Sequence, residues 1–484
     1  MEWKTLMCSD RIRTVPRTPT SSDTRTEFEK DYQRIISSAS FRRLQDKTQV
    51  FPLDKSDFIR TRLTHSLEVA NFARSIGRMI GSRIISEEKD ANFTEDMREN
   101  VCSVLECAGL LHDIGNPPFG HFGEDAIRDW FKRNFDVIEY HGQKLGDVLN
   151  DQQRADFTNF EGNTQALRVV SKLHFLVDEH GMNLTKALLA TIMKYPVSSV
   201  QIKYDKNDPD RDITSKKMGY FFADREVFES VQSGCGTNGR RHPLAFALEA
   251  ADDIAYRTAD IEDAVKKGLL DINVLINEIR LATESAKKDK KMRQATEAAE
   301  KLLGKLDHYY KRAIENNYEN PQLYAIQNWV VRVQGILLTS AVDSFMDNYD
   351  AIMAGTFKKE LLADTPGGLI ADVLGDVALR YAFLSEPILK LEVAADAIFD
   401  FLLERFVRAL LYYDTNEWKA HACAVDSKMV GLISPSFMQV YRIHSKDASD
   451  NDKLYLRLLL ATDYISGMTD GFAKRLYREL NGMD

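Results

Sequence analysis

Between Leu110 and Glu124 the chain reads L-L-H-D-I-G-N-P-P-F-G-H-F-G-E, which places His112, Asp113, His121 and Glu124 around a Gly/Pro turn. Imidazoles and carboxylates gathered this closely can ligate a cation or pass a proton. Two other segments carry the same groups. Arg60–His65 reads R-T-R-L-T-H, and Leu248–Asp260 reads L-E-A-A-D-D-I-A-Y-R-T-A-D, where acids interrupt an otherwise apolar helical pattern. Buried carboxylates are costly unless paired or bound to metal. His65, His112, Asp113 and Asp252 together offer two imidazoles and two carboxylates. This mixed nitrogen and oxygen set suits a hydrolytic divalent metal such as Mn, Fe, Mg or Zn, with positions left for water and a phosphate oxygen. The competing reading for each is structural: a buried histidine capped by an acid, or a polar residue in a first helical turn. Periodicity alone does not choose between Asp252 and its neighbour Asp253.

Those side chains must be positioned by helices. Thr26-x-x-Glu29 is a capping box that opens a helix bearing Phe28, Tyr32, Ile35 and Ile36, and the ordered body is expected to start there. From Thr64 to Ile85, Leu67, Ala70, Ala73, Ile76, Ile80 and Ile84 keep to one face, with His65 in the first turn. A helix is expected from Glu99 to His112, ended by Pro117–Pro118. Further helices are expected at Glu124–Phe135, Asn163–His180, Leu184–Lys194, Lys217–Val231, Pro243–Val265, Glu392–Tyr413 and Leu454–Leu480, with a long charged hairpin over Ile272–Asn316. The polar stretches Tyr204–Asp212 and Ser233–Arg241 read as loops.

Composition agrees with an all-α protein. Gly (25) and Pro (12) are sparse in 484 residues, against a hydrophobic fraction of 44%, so disordered, collagen-like and many-turned all-β readings lose ground to a helical one. Five cysteines without C-x-x-C spacing indicate neither a disulfide framework nor a thiolate zinc site, and reduced thiols in a cytoplasm fit best. No apolar run reaches the length of a membrane span, and the charged N-terminus has no signal-peptide core. The net charge of −9 argues against a globally basic nucleic-acid binder.

In type and order, Arg62 with His65, His112–Asp113 and Asp252 match the H…HD…D signature of the HD superfamily of metal-dependent phosphohydrolases. F-R-R-L-Q-D-K-T-Q-V-F-P (Phe41–Pro52), T-R-L-T-H-S-L-E-V, F-E-G-N (Phe160–Asn163), R-H-P-L and E-A-A-D-D-I-A-Y narrow the resemblance. Together they resemble the bacterial deoxyguanosine triphosphate triphosphohydrolases, with a weaker echo at A-T-D-Y-I-S-G-M-T-D, Ala461–Asp470. Asn116 stands where related eukaryotic-type enzymes carry a histidine, which favours the bacterial branch.

The resemblance implies an HD-type helical core with additional C-terminal helices: an N-terminal segment 1–24, a catalytic core 25–270, and an extension 271–484 that contributes to oligomerisation. It implies hydrolysis of a dNTP, with dGTP preferred, to deoxynucleoside and inorganic triphosphate. Mn2+ or Mg2+ is the expected cofactor, held by His65, His112, Asp113 and Asp252. His121 is then the proton-transfer residue oriented by Glu124. Arg62, Lys194 and Tyr195 contact phosphate, Gln49 and Asp260 hold the sugar 3′-OH, and the Tyr256 ring leaves no space for a 2′-OH. Relatives suggest a homo-oligomer, a hexamer, and single-stranded DNA as an effector, for which Lys287–Lys291 is the pointer. Alternatives are another HD phosphohydrolase, a nucleotidase or phosphodiesterase, and a regulatory protein with a vestigial metal site.

Overall fold

The computed structural model describes residues 1–13, 23–51, 59–175, 178–203, 205 and 212–483. The polar opening at Thr18–Thr24 and the expected loop at Tyr204–Asp212 lie largely outside them. The fold is all-α. Among the described residues the only paired strands are Glu139–Tyr140 and Gln143–Lys144, a small antiparallel hairpin.

Three helices build the centre. Arg62–Ser86 begins at a capping box in which Thr61 and Thr64 satisfy each other's backbone amides, and this fixes His65 in the first turn. It packs along Glu95–Leu111, and both pack on Pro243–Lys266, a helix started by Pro243 at its first position. The buried face of the first helix carries Val69, Ala70, Ala73, Ile76, Ile80 and Ile84, whereas Leu67 is half exposed rather than on that face as its spacing predicts.

The chain N-terminus differs from expectation. A short helix, Trp3–Leu6, precedes the Thr26 capping box, and Trp3 and Leu6 are fully buried. Trp3 donates its indole N–H to the Tyr349 hydroxyl at 2.8 Å, so order begins well before Thr26. The capping box itself is present, with Thr26 and Glu29 exchanging bonds. The helix expected at Asn163–His180 is α-helical only over Gly162–Arg168 and then widens into a π turn, Val169–Leu173. The Ile272–Asn316 hairpin forms as two helices, Ile272–Ala286 and Arg293–Glu315.

The C-terminal helices are not appended loosely. Pro321–Asp347 packs on both Arg62–Ser86 and Pro243–Lys266, and Glu386–Leu410 packs on His121–Asn134. A buried ion network ties them in: Arg168 donates to Asp463 from Nε at 2.8 Å and Nη2 at 2.7 Å, and reaches Asp224 at 3.2 Å. A buried guanidinium left without its carboxylate keeps its desolvation cost, so Asp463→Ala is expected to destabilise the fold by about 3–5 kcal/mol, read as a lowered denaturant midpoint. A change under about 1 kcal/mol would contradict that account.

Candidate active site

The end of Glu95–Leu111 delivers His112. Its Nδ1–H donates to the Gly109 carbonyl at 2.7 Å, a bond that assigns the tautomer and leaves Nε2 as a lone pair. That nitrogen is buried without a hydrogen-bond partner, 3.5 Å from Asp113 Oδ2 and 3.5 Å from Asp252 Oδ1. His65 Nε2 lies 3.2 Å from the same Asp252 oxygen, and ligand atoms of His65, His112 and Asp113 lie within 4.8 Å of one another. A lone pair facing carboxylates is an unsatisfied acceptor, and a divalent cation is the species that satisfies all of them together. The donor set therefore fits a metal of mixed nitrogen and oxygen preference. Asp253 points elsewhere, 3.9 Å from Arg257.

Cationic side chains flank these acids. Arg62 donates to Asp113 Oδ2 at 2.6 Å, Asn116 donates its amide to Oδ1 at 2.5 Å, and Lys194 donates to Asp252 Oδ2 at 3.2 Å. Burial would raise both aspartates, but Arg62 at Asp113 and Lys194 at Asp252, each together with the His112 and His65 imidazoles, outweigh it, so both stay ionised well below the usual range. Burial lowers His112, keeping it neutral and available as a ligand. At His65 burial acts in the same direction, yet the Asp252 contact prevails and raises it.

A second cluster sits across the turn. His121 is the first residue of the His121–Asn134 helix, after Gly120 at φ 60°, a conformation glycine adopts without steric cost. Its ring is largely exposed, and Nδ1 meets Glu124 Oε2 at 3.0 Å. Glu124 is buried and also accepts from the Gly162 amide at 2.7 Å and Arg128 at 3.0 Å. Burial opposes its ionisation, but the bond from His121 and nearby cations hold its pKa down at about 2. The same bond raises His121 above the ordinary histidine value.

Gly162 is fixed here by space. A Cβ on it would lie 2.1 Å from Asn116 Oδ1 and 2.7 Å from Glu124 Oε1. Gly162→Ala would push apart the residues that orient Asp113 and His121, and should lower turnover by about 100-fold, the scale of a 1 Å misplacement. Steady-state kinetics on the folded variant check this, and activity near wild type would refute it.

The structure brings Arg62 and Lys194 directly onto the four candidate ligands. Among the described residues, no hydrogen bond or ion pair joins Gln49, Tyr195, Tyr256 or Asp260 to those four. Gln49 has a buried Oε1 without a partner, Tyr195 is buried, and Tyr256 is half buried. Asp260 is buried two turns beyond Asp252, where burial pushes its pKa up to about 7. Sequence reasoning missed Arg128, Gly162 and Lys217. Lys217 pairs with Glu161 at 2.8 Å and helps hold Glu124 ionised. The only signal in reach was F-E-G-N, whose glycine and glutamate meet these groups.

Comparison with known proteins agrees with this geometry. Residues 62–193 match the HD domain family. A deoxyguanosinetriphosphate triphosphohydrolase-like protein of Listeria monocytogenes is 44% identical over the whole of both chains. The deoxyguanosinetriphosphate triphosphohydrolase of Klebsiella pneumoniae is 32% identical over 98% of this chain and 97% of its own. A similarly named Synechocystis protein is 32% identical over the full length of both. With the HD segment spanning His65, His112 and Asp113 and the similarity running end to end, the chain belongs to the deoxyguanosinetriphosphate triphosphohydrolase family of HD-domain proteins.

Proposed function

We propose that this protein hydrolyses deoxynucleoside triphosphates in a metal-dependent reaction, with dGTP preferred, releasing the deoxynucleoside and intact inorganic triphosphate. The observation that carries the reading is the buried, unpartnered Nε2 of His112 set between Asp113 and Asp252. His65, His112, Asp113 and Asp252 would hold the ion, Mn2+ or Mg2+. When bound, it supplies Lewis acidity toward an α-phosphate oxygen and the attacking water.

The remaining steps belong to the chain. Arg62 and Lys194 neutralise phosphate charge at the edge of the acids they already touch. His121, kept protonated by Glu124, donates a proton toward the 5′ oxygen as the P–O bond breaks. Tyr195 adds a phosphate contact, Gln49 and Asp260 take the sugar 3′-OH, and the Tyr256 ring excludes a 2′-OH. The alternative HD chemistries, phosphodiester or monophosphate hydrolysis, would give different products.

The test is a panel of dNTPs and NTPs with each divalent metal, reading inorganic triphosphate, pyrophosphate and phosphate separately. Triphosphate from dNTPs only, fastest from dGTP, is expected. Pyrophosphate or single phosphates as the sole products would reject the reading.

Self-association is proposed as well, with a hexamer as the candidate state. Leu389 and Val393, one turn apart on Glu386–Leu410, are 42% and 74% exposed, two apolar side chains that a second copy would cover. Sedimentation velocity reads the state directly. Single-stranded DNA as an effector is proposed too, with Lys287–Lys291 as the pointer; Lys287 of that cluster pairs with Glu300 at the surface at 2.5 Å, and a salt-dependent gel shift is the test. Among the described residues no helix is long and apolar enough to cross a membrane.

A further inference from the structure

The A-T-D-Y-I-S-G-M-T-D segment, Ala461–Asp470, has no role in the chemistry above, yet it grips the turn that carries it. Asp470 is 2% exposed. Its Oδ1 accepts the Phe119 backbone N–H at 2.9 Å, and its Oδ2 accepts the Thr48 N–H at 3.0 Å and hydroxyl at 2.6 Å. Beside it the buried Lys47 ammonium donates to the carbonyls of Asn116 at 2.5 Å and Ser466 at 2.9 Å. Arg43 donates to the Gly467 carbonyl at 3.3 Å.

The held peptide is a strained one. Phe119 and Gly120 both sit at φ 60°, a region that side-chain-bearing residues enter only when their surroundings impose it. The next residue is His121. Arg62 leans on the same turn, since a Cβ on Gly120 would lie 2.4 Å from its Nη2. On the other side of the carboxylate, Thr48 directly precedes Gln49. One buried acid thus joins the backbone leading into His121 to the strand of chain leading into a candidate sugar contact.

We propose that Asp470 is a positioning residue for His121, holding it through the Phe119–Gly120 turn, so that the C-terminal helices complete the catalytic centre. This rests on His121 being the proton donor of the proposed reaction. Without the carboxylate, the Phe119 N–H loses its acceptor and the left-handed turn loses what imposes it. His121 then leaves its register with Glu124.

The experiment is a double-mutant cycle with Asp470→Ala, which leaves no side-chain acceptor for the Phe119 N–H, and His121→Ala, read by triphosphate release in the full-length, metal-loaded protein. Asp470→Ala alone should lower kcat by about 100-fold. On the His121→Ala background it should cost less than about threefold, because the group it positions is gone. Equal losses on both backgrounds, or no loss in the single variant, overturn the proposal.

Hydrogen exchange supplies a readout that does not depend on turnover. The peptide containing Phe119 and Gly120 should exchange at least about tenfold faster in Asp470→Ala, with Arg293–Glu315 unchanged, and unaltered exchange at the turn also overturns the proposal. If the wild type releases no triphosphate, the functional reading fails while this measurement still judges the anchor. Should exchange rise throughout Asp470→Ala, Asp470→Glu, which keeps the charge and shifts it by one methylene, takes its place in the cycle and decides by the same criteria.

Discussion

Replacing His112 with alanine is expected to abolish hydrolysis, with kcat down by at least about 1,000-fold. A Lewis-acid ion contributes several kcal/mol to stabilising phosphoryl-transfer charge, and about 4 kcal/mol corresponds to three decades in rate. His112 is the ligand with least redundancy. Its Nδ1 is committed to the Gly109 carbonyl, and its Nε2 has no protein partner to compensate for its loss. The same substitution should remove Mn2+ binding measured by calorimetry while leaving the far-UV circular dichroism unchanged. Asp252→Asn should follow it, since that carboxylate meets both imidazoles and Lys194. Retention of a tenth of the activity by His112→Ala, with Mn2+ still bound, would dissolve the proposed centre.

His121→Ala should lower kcat by about 100- to 10,000-fold, the range general acid catalysis supplies, without loss of metal binding. Its pH dependence is the sharper test. His121 must be protonated to donate, and Glu124 raises its pKa, so activity is full below that pKa and is lost as pH rises through it. Glu124→Gln removes the charge that stabilises the imidazolium, so His121 titrates lower and the alkaline limb of the kcat profile moves toward lower pH. Glu124 itself is ionised down to about pH 2 and adds no limb in the working range. An alkaline limb unmoved by Glu124→Gln would detach the pair from proton transfer.

Much of the centre was legible because its chemistry is local in type. His112–Asp113 sits at the end of a periodic apolar helix, which stops at Leu111 ahead of the Pro117–Pro118 pair. His65 lies in a first turn fixed by a threonine cap, and Asp252 stands with Asp253 in a helix that is otherwise largely apolar from Pro243 to Ala255. Each is a departure from a 3.6-residue pattern and can be seen without a fold. Choosing Asp252 over Asp253 could not be seen that way, because consecutive helix positions differ by direction alone. The packing partner decides it: the imidazoles meet one, Arg257 the other.

Helix ends were less legible where a distant group intervenes. The pattern over Leu454–Leu480 is continuous, yet the structure divides it into Asp450–Ser466 and Asp470–Leu480. The carbonyls of Ser466 and Gly467 are taken by Lys47 and Arg43, which replace the amides a continuing helix would have offered. Leu67 fits the apolar face by spacing and is exposed because the helix's contact stripe passes through Val69 instead.

Residue types and their order were sufficient to declare a helical protein and to mark His65, His112, Asp113 and the Asp252–Asp253 pair as ligand candidates, since propensity, periodicity and the chemistry of donor atoms are all written within a few positions of one another, whereas the choice of Asp252 and the proposed roles of His121 and Glu124 came from the family resemblance. Tertiary structure alone decided that Asp470 meets Phe119, that Asp463 closes on Arg168 and that Gly162 must lack a side chain. These contacts join positions tens to hundreds of residues apart, where no pattern in one chain records who will be neighbours. They exist because buried polar groups must find partners once packing has removed water.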